Sequence, residues 1–152
     1  MNDLELRIET EFPPELLRAA ARLYRLAGWV EEHDNCGFLA AALANSCAVC
    51  VAYRGGRPVG MGRALGDKVS DAYIQDVVVD PEHRRRGIGG AIVHTLVAEL
   101  RKRGIDWIAL VGEPGTEEFY RGLGFDAPRG FTFWRARGGA VADDPEKTGS
   151  GS

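Results

Sequence analysis

Long apolar runs are missing from the chain. No stretch approaches the ~20 residues that a membrane-spanning helix needs, so no membrane partner is expected. Cysteine is scarce, at three in 152 residues. An odd count builds no disulfide framework, and a reduced, cytoplasmic protein is expected. Positive charge is not in excess either: 19 Lys and Arg against 22 Asp and Glu leave a net charge of -3 and a pI near 5.6. That balance excludes a broad polyanion-binding surface, so no nucleic-acid partner is expected and any positive site must be local. The opening Met1-Asn2-Asp3-Leu4-Glu5-Leu6-Arg7 has no apolar core of leader-peptide length. What is present is an ordinary globular composition, 45% apolar and 27% charged. Residues 1–137 are expected to form a single domain. Residues 138–152, small and polar, are expected to be a disordered tail. No internal repeat is seen.

Leu4, Leu6 and Ile8 alternate with charged residues and predict a first strand. Pro13-Pro14 predicts a helix start, and apolar residues at helical spacing carry it to about Ala27. Asn35 is expected to cap a second helix over Phe38–Leu43. Cys47–Tyr53 and Pro58–Leu65 flank Arg54-Gly55-Gly56-Arg57, the pattern of a hairpin. Tyr73–Val79 ends in three valines, as in a strand buried on both faces. After Asp80-Pro81, Ile88, Ile92, Leu96 and Leu100 mark a long helix from about Gly87 to Arg103, stopped by cations and Gly104. Trp107–Val111 is the next strand. The intervening helix makes the two strands a parallel βαβ pair. Thr116 is expected to cap a short helix from Glu117 to Leu123, and Phe131–Arg135 to form a last strand.

His83-Arg84-Arg85-Arg86-Gly87-Ile88-Gly89-Gly90 breaks local rules. Three arginines crowd a helix start that is already positive by its dipole. Three glycines weaken the first turn by roughly 1 kcal/mol each against alanine. Both features make sense if an anion docks there, because glycine lets the backbone N–H groups approach it closely. The place is right as well, at the carboxyl end of a parallel strand. Lysine does not follow the glycines, which excludes the Walker pattern, and Ile92 stands where a dinucleotide fingerprint needs its third glycine.

Arg84-Arg85-Arg86-Gly87-Ile88-Gly89 resembles the Arg/Gln-x-x-Gly-x-Gly/Ala signature of the GNAT superfamily of acyl-CoA N-acyltransferases. Val77-Val78-Val79-Asp80-Pro81-Glu82-His83 looks like its lead-in, and Phe119-Tyr120-Arg121-Gly122-Leu123-Gly124-Phe125 is similar to its second signature. The resemblance is good over Val49–Trp134. It implies an α/β fold with a mixed, mostly antiparallel sheet, one splayed parallel strand pair and helices on both faces. It also implies acetyl-CoA as cosubstrate. Arg84, Arg85, Arg86, Gly87, Ile88, Gly89 and Gly90 would hold its pyrophosphate, chiefly through backbone N–H groups. The backbone of Val77, Val78 and Val79 would pair with the pantetheine arm, an N–H near Val78 would polarise the thioester carbonyl, and Tyr120 would protonate the departing thiolate. Many such enzymes are dimers, so a homodimer is compatible with the resemblance.

Acyl transfer to an amine needs a neutral nucleophile, although a free alkylamine has a pKa near ~10.4. It also needs a donor for the oxyanion and an acid for a thiolate of pKa near ~8.5. Direct attack in a ternary complex requires no covalent enzyme intermediate. Family members often carry Glu or His on the strand before the valines, where this chain has Tyr73 and Gln75. Asp76 is the nearest carboxylate, able to bind or deprotonate an amine, or else to serve structurally within the sheet. Asp71, Asp67, Glu31 and Glu32 are weaker options for attracting an amine. The expected function is N-acetylation of a small-molecule or protein amine. A non-catalytic acyl-CoA sensor is the alternative, and an unrelated nucleotide-binding protein is a third that the missing lysine disfavours.

Cys47-Ala48-Val49-Cys50, with His33 and Cys36, imitates a zinc set, but thiols three apart on a strand face opposite ways, and no metal is expected. Buried free thiols fit better. His33 is expected in a surface loop, His83 in a turn and His94 on a helix face. Trp29, Trp107 and Trp134 are expected in a core or an interface.

Overall fold

The computed structural model of the protein describes residues 3–138. Most of the expected tail therefore lies outside the described residues. The alternating strand β1 (Leu4–Ile8) pairs antiparallel with β2 (Ala48–Arg54), which turns through Gly55-Gly56 into β3 (Arg57–Gly66). β3 pairs antiparallel with β4 (Asp71–Val79), and β4 runs parallel to β5 (Trp107–Leu110). The five strands lie in sequence order. This is a mixed, mostly antiparallel sheet with one parallel pair, as expected.

Helices α1 (Pro14–Leu26) and α2 (Leu39–Ala44) cover one face, and α3 (Ile88–Lys102) covers the other. Pro14 starts α1, where its missing N–H is no loss. On α3, Ile92, Leu96 and Leu100 recur every four residues and are fully buried against β2, β3 and β4. Each such side chain contributes roughly 1.5–3 kcal/mol of burial. The second cluster joins Leu16, Leu23 and Tyr24 of α1 to Leu39, Leu43, Met61 and Val78. Val77 and Val79 pack toward α3 while Val78 packs toward α1, so the valine run is covered on both faces as its sequence predicts. The first half of β4 is not: Asp71 and Tyr73 are exposed.

A bulge explains the change of phase. Between the pairs Met61↔Val78 and Arg63↔Gln75, β3 advances two residues and β4 three. The extra residue is Asp76, whose φ of 56° lies in the left-handed region. Ala72 and Ile74 face α3 before the bulge, and Val77 and Val79 face it afterwards.

Several local expectations need correction. Asn35 does not cap α2; its Oδ1 accepts from the Gly37 N–H, and Phe38 occupies the cap position. Thr116 makes no side-chain cap for α4 (Glu117–Gly122) and instead donates to the Glu113 carbonyl. Phe131–Arg135 forms no strand, and Phe131, Phe133 and Trp134 are exposed. β-Forming composition makes a strand only where a sheet edge and a buried face receive it. None of the three tryptophans is buried. Cys47 precedes β2 instead of lying in it, so it and Cys50 pack against the same core cluster and not on opposite faces. All three thiols are free and buried, and burial pushes the Cys50 thiol up to about 12.

Gly66 ends β3 opposite Ala72 of β4. A β-carbon there would collide with the Asp71 carbonyl oxygen, which is main chain and cannot rotate away. Gly66→Ala is expected to destabilise the fold by roughly 2–3 kcal/mol, read as a lower urea midpoint. An unchanged midpoint would mean that the hairpin opens there freely.

Candidate active site

The parallel pairing of β4 and β5 runs only from Asp71↔Trp107 to Ile74↔Leu110. Beyond Ile74 the strands part, and Gln75–Val79 keeps β3 on one edge only. The opening is a cleft of about 1150 Å³. Its floor is Gln75–Val79, one end is Arg84, Arg85 and Gly87–Gly90, and its walls carry Glu113, Thr116, Phe119, Tyr120 and Trp29.

The arginine–glycine end is built from the chain outward. Asp80 stops β4, and its carboxylate accepts from the Glu82 N–H (3.0 Å) and pairs with Arg22 of α1 (2.7 Å). Burial opposes ionisation of Asp80, but the N–H and the guanidinium outweigh it, and the carboxyl titrates below its usual range. A short 3-10 turn (Pro81–His83) follows, and Arg84 folds back to donate to the Val79 carbonyl (3.3 Å). Arg85 (φ 63°) and Gly87 (φ 75°) both adopt left-handed backbone on either side of Arg86. Gly87 occupies the N-cap of α3, and no side chain caps the free N–H groups of that first turn. Nothing lies within 4 Å of where a Gly87 side chain would begin. Among the described residues no carboxylate pairs with Arg85 or Arg86. The arrangement is an open concavity of N–H dipoles beside unpaired cations, which suits an anion such as a diphosphate.

The expected site residues have separate fates here. Ile88 is buried in the core, so only its main chain can serve the cradle. Gly89 faces the Phe119 ring, and a β-carbon at Gly90 would press Leu123 at 3.3 Å, so these two glycines also admit α4 against the start of α3. Arg86 does not line the cleft, whereas Arg84 and Arg85 do.

Tyr120 projects from α4, half-buried and stacked edge-on against Phe119 (4.9 Å) and Phe125 (5.9 Å). Burial raises its hydroxyl pKa, and the charge of Glu113 raises it further. Asp76 also lines the cleft, but one of its oxygens is already engaged. Asp76 Oδ2 accepts from Tyr24 Oη (2.6 Å) and from Arg63 Nε (2.8 Å). Arg63 reaches on to Ser46 Oγ (3.3 Å) beyond the end of α2. Burial and the Asp76 carboxylate both push the Tyr24 hydroxyl up, so it stays a proton donor.

Two cleft residues were not legible as such. Glu113 stands in a turn whose Pro-Gly composition signals only a change of direction, and Trp29 enters the cleft wall from the far side of the sheet. Asp71 and Asp67 lie away from the cleft lining, and Glu31 pairs with His33 at the surface (3.1 Å). Among the described residues no group of three or more His, Cys, Asp or Glu side chains is placed to hold a metal. No helix of the described residues is long and apolar enough to cross a membrane.

A split parallel pair with an anion cradle at the end of one strand defines an acyl-CoA N-acyltransferase type of fold and site. The chain belongs to the Acetyltransferase (GNAT) family, whose model matches residues 8–125. Serotonin N-acetyltransferase 2 of Oryza sativa subsp. japonica, a chloroplastic protein, is 49% identical over 86 residues, which is 54% of this chain and 43% of that protein. Histone acetyltransferase TAP1 of Glycine max is 42% identical over 81 residues, 51% of this chain and 33% of that protein. The chain thus spans less than half the length of these curated relatives. A GNAT-family acetyltransferase structure from Streptococcus pneumoniae TIGR4 superposes with a TM-score of 0.72 at 25% identity, covering 89% of this chain and 99% of that one.

Proposed function

We propose that this protein transfers an acetyl group from acetyl-CoA to a primary amine by direct attack in a ternary complex. The observation that carries the proposal is the cleft itself, which sets an anion cradle at Gly87, an unpaired strand edge at Val77–Val79 and a half-buried Tyr120 around one space. Acetyl-CoA fits this space. The N–H groups from Arg85 to Gly90, with Arg84 and Arg85 beside them, would take its diphosphate, and the open edge of Val77–Val79 would take its amide-bearing arm. When bound, it supplies the activated thioester carbonyl.

The chain's own residues then divide the work. A main-chain N–H near Val78 faces the developing oxyanion. Asp76, with one oxygen committed to Tyr24 and Arg63, holds the incoming ammonium through the other. Glu113 makes no side-chain hydrogen bond among the described residues and takes the proton from the amine. Tyr120 delivers a proton to the departing thiolate. The relatives are named for serotonin and for histones. A primary amine is what those acceptors share, and it is the acceptor proposed. Residues 1–137 act as one domain, and the three buried free thiols suit a reducing cytoplasm.

The test is free-thiol release from acetyl-CoA with a panel of primary amines, beside calorimetry of acetyl-CoA binding. Amine-dependent release supports the enzyme; saturable binding with no release from any amine would make the protein an acyl-CoA sensor. The pH dependence adds a check. An acid must hold its proton, and burial and the Glu113 charge raise the Tyr120 hydroxyl above the ordinary tyrosine range, so the alkaline fall of kcat is expected on the alkaline side of a free tyrosine's titration. A fall near neutrality would remove Tyr120 from that role.

A further inference from the structure

Asp76 is the only non-glycine residue with a positive φ inside a strand among the described residues. Left-handed backbone is costly away from glycine, although aspartate tolerates it better than most, and it persists where the surroundings impose it. Here three elements impose it. Tyr24 of α1 and Arg63 of β3 both donate to Asp76 Oδ2. Arg63 Nη1 reaches on to the Ala42 carbonyl of α2 (3.4 Å), and the Ser46 hydroxyl beside it donates to the same carbonyl (2.8 Å). Tyr24 is itself buried, with its ring set edge-on to Trp29 at 5.1 Å. The bulge is thus tied to both helices on that face of the sheet and to the neighbouring strand.

The bulge decides which way the next stretch of main chain points. The Asp80 N–H donates to the Val59 carbonyl of β3 (2.8 Å), and Val78, two residues earlier, is paired with Met61. Residues between such pairs in an antiparallel ladder turn their N–H and C=O groups the other way. Val77 and Val79 therefore present theirs to the edge that β5 has left, where Arg84 takes the Val79 carbonyl. Without the extra residue at Asp76 the alternation would slip by one, and the Val77 N–H would turn back to β3. The Val77 nitrogen is bonded to the Asp76 carbonyl carbon, so the backbone angles held at Asp76 set its direction. We propose that Tyr24 and Arg63 are positioning residues for acyl transfer: their hold on Asp76 keeps the bulge in place and so keeps the Val77 N–H directed at the thioester carbonyl. The inference rests on the acetyltransferase reading and adds the side chains that align its oxyanion donor.

The experiment reads the infrared stretch of acetyl-CoA labelled with carbon-13 at its thioester carbonyl, free and bound, beside calorimetry and thiol release with a panel of primary amines. On the parent protein the bound band is expected at lower frequency than in buffer, because a donor polarises the carbonyl. Tyr24→Phe removes one oxygen and keeps the ring against Trp29. It is expected to lose about half or more of that displacement and about ten-fold in kcat, less than the roughly 10²–10³-fold lost when such a donor is deleted outright. The acetyl-CoA dissociation constant is expected to stay within about two-fold, since the diphosphate cradle is untouched. Arg63→Gln is expected to act in the same direction, and Arg63→Lys to keep more of both quantities because a cation remains for Asp76. The band comes from loaded, folded molecules, so lost stability lowers its amplitude without moving it. A band left unmoved by Tyr24→Phe or by Arg63→Gln would strike that residue from the role, whatever happens to kcat. A parent that acetylates amines with an unshifted band would overturn the inference and leave acetyl transfer standing. No thiol release with any amine would overturn both.

Discussion

Tyr120→Phe is expected to lower kcat by about 10²–10³-fold and to leave the acetyl-CoA dissociation constant within about two-fold. The substitution removes one oxygen and nothing else. The ring stays wedged between Phe119 and Phe125, so α4 keeps its seat against the start of α3. The lost step is protonation of the thiolate. A CoA thiolate of pKa near ~8.5 leaves less readily without an acid, and a tyrosine held protonated by burial and by Glu113 is suited to supply one. Steady-state thiol release with calorimetric binding separates the two quantities. A variant with full kcat would show that water, not Tyr120, protonates the leaving group. Equal losses in kcat and binding would instead point to a packing role.

Gly87→Asp is expected to weaken acetyl-CoA binding by about 100-fold or more while leaving the circular dichroism spectrum unchanged. The position is open, with nothing within 4 Å of a new β-carbon, so the side chain meets solvent and the cleft rather than protein. Its φ of 75° strains most residues, but aspartate tolerates the left-handed region better than most. The large term is electrostatic. A carboxylate about 5 Å from a phosphate charge costs roughly 3 kcal/mol at an effective dielectric near 20. Asparagine is the control: Gly87→Asn carries similar strain without the charge and should bind much better than the aspartate variant. If both variants bind acetyl-CoA as the parent does, the diphosphate sits elsewhere.

Much of the scaffold can be seen in the sequence because it follows short-range rules. The four-residue beat of Ile88, Ile92, Leu96 and Leu100 implies a helix with one buried face, the cations before Gly104 imply its end, and the three valines imply a strand covered on both faces. The proposed cradle stands out in the sequence for a different reason. Arginines and glycines at a helix start are locally unfavourable, and such a violation points to a ligand. Thr116, Asn35 and Phe131–Arg135 mislead because each obeys a local preference that needs a partner to be realised. The threonine hydroxyl found a nearer carbonyl, the asparagine capped a turn, and the aromatic segment had no ladder to join.

The sequence by itself determined the order of the elements, since each depends on residues within one turn or one strand of each other, and the parallel pair, since a helix joining two strands brings them side by side in the same direction. Only the tertiary structure decided the bulge at Asp76, its double grip by Tyr24 and Arg63, and the arrival of Trp29 in the cleft wall. Tyr24 and Asp76 are 52 residues apart in the chain. Contacts over such separations arise from how helices settle on a twisted sheet, and no local pattern along the chain encodes that settling.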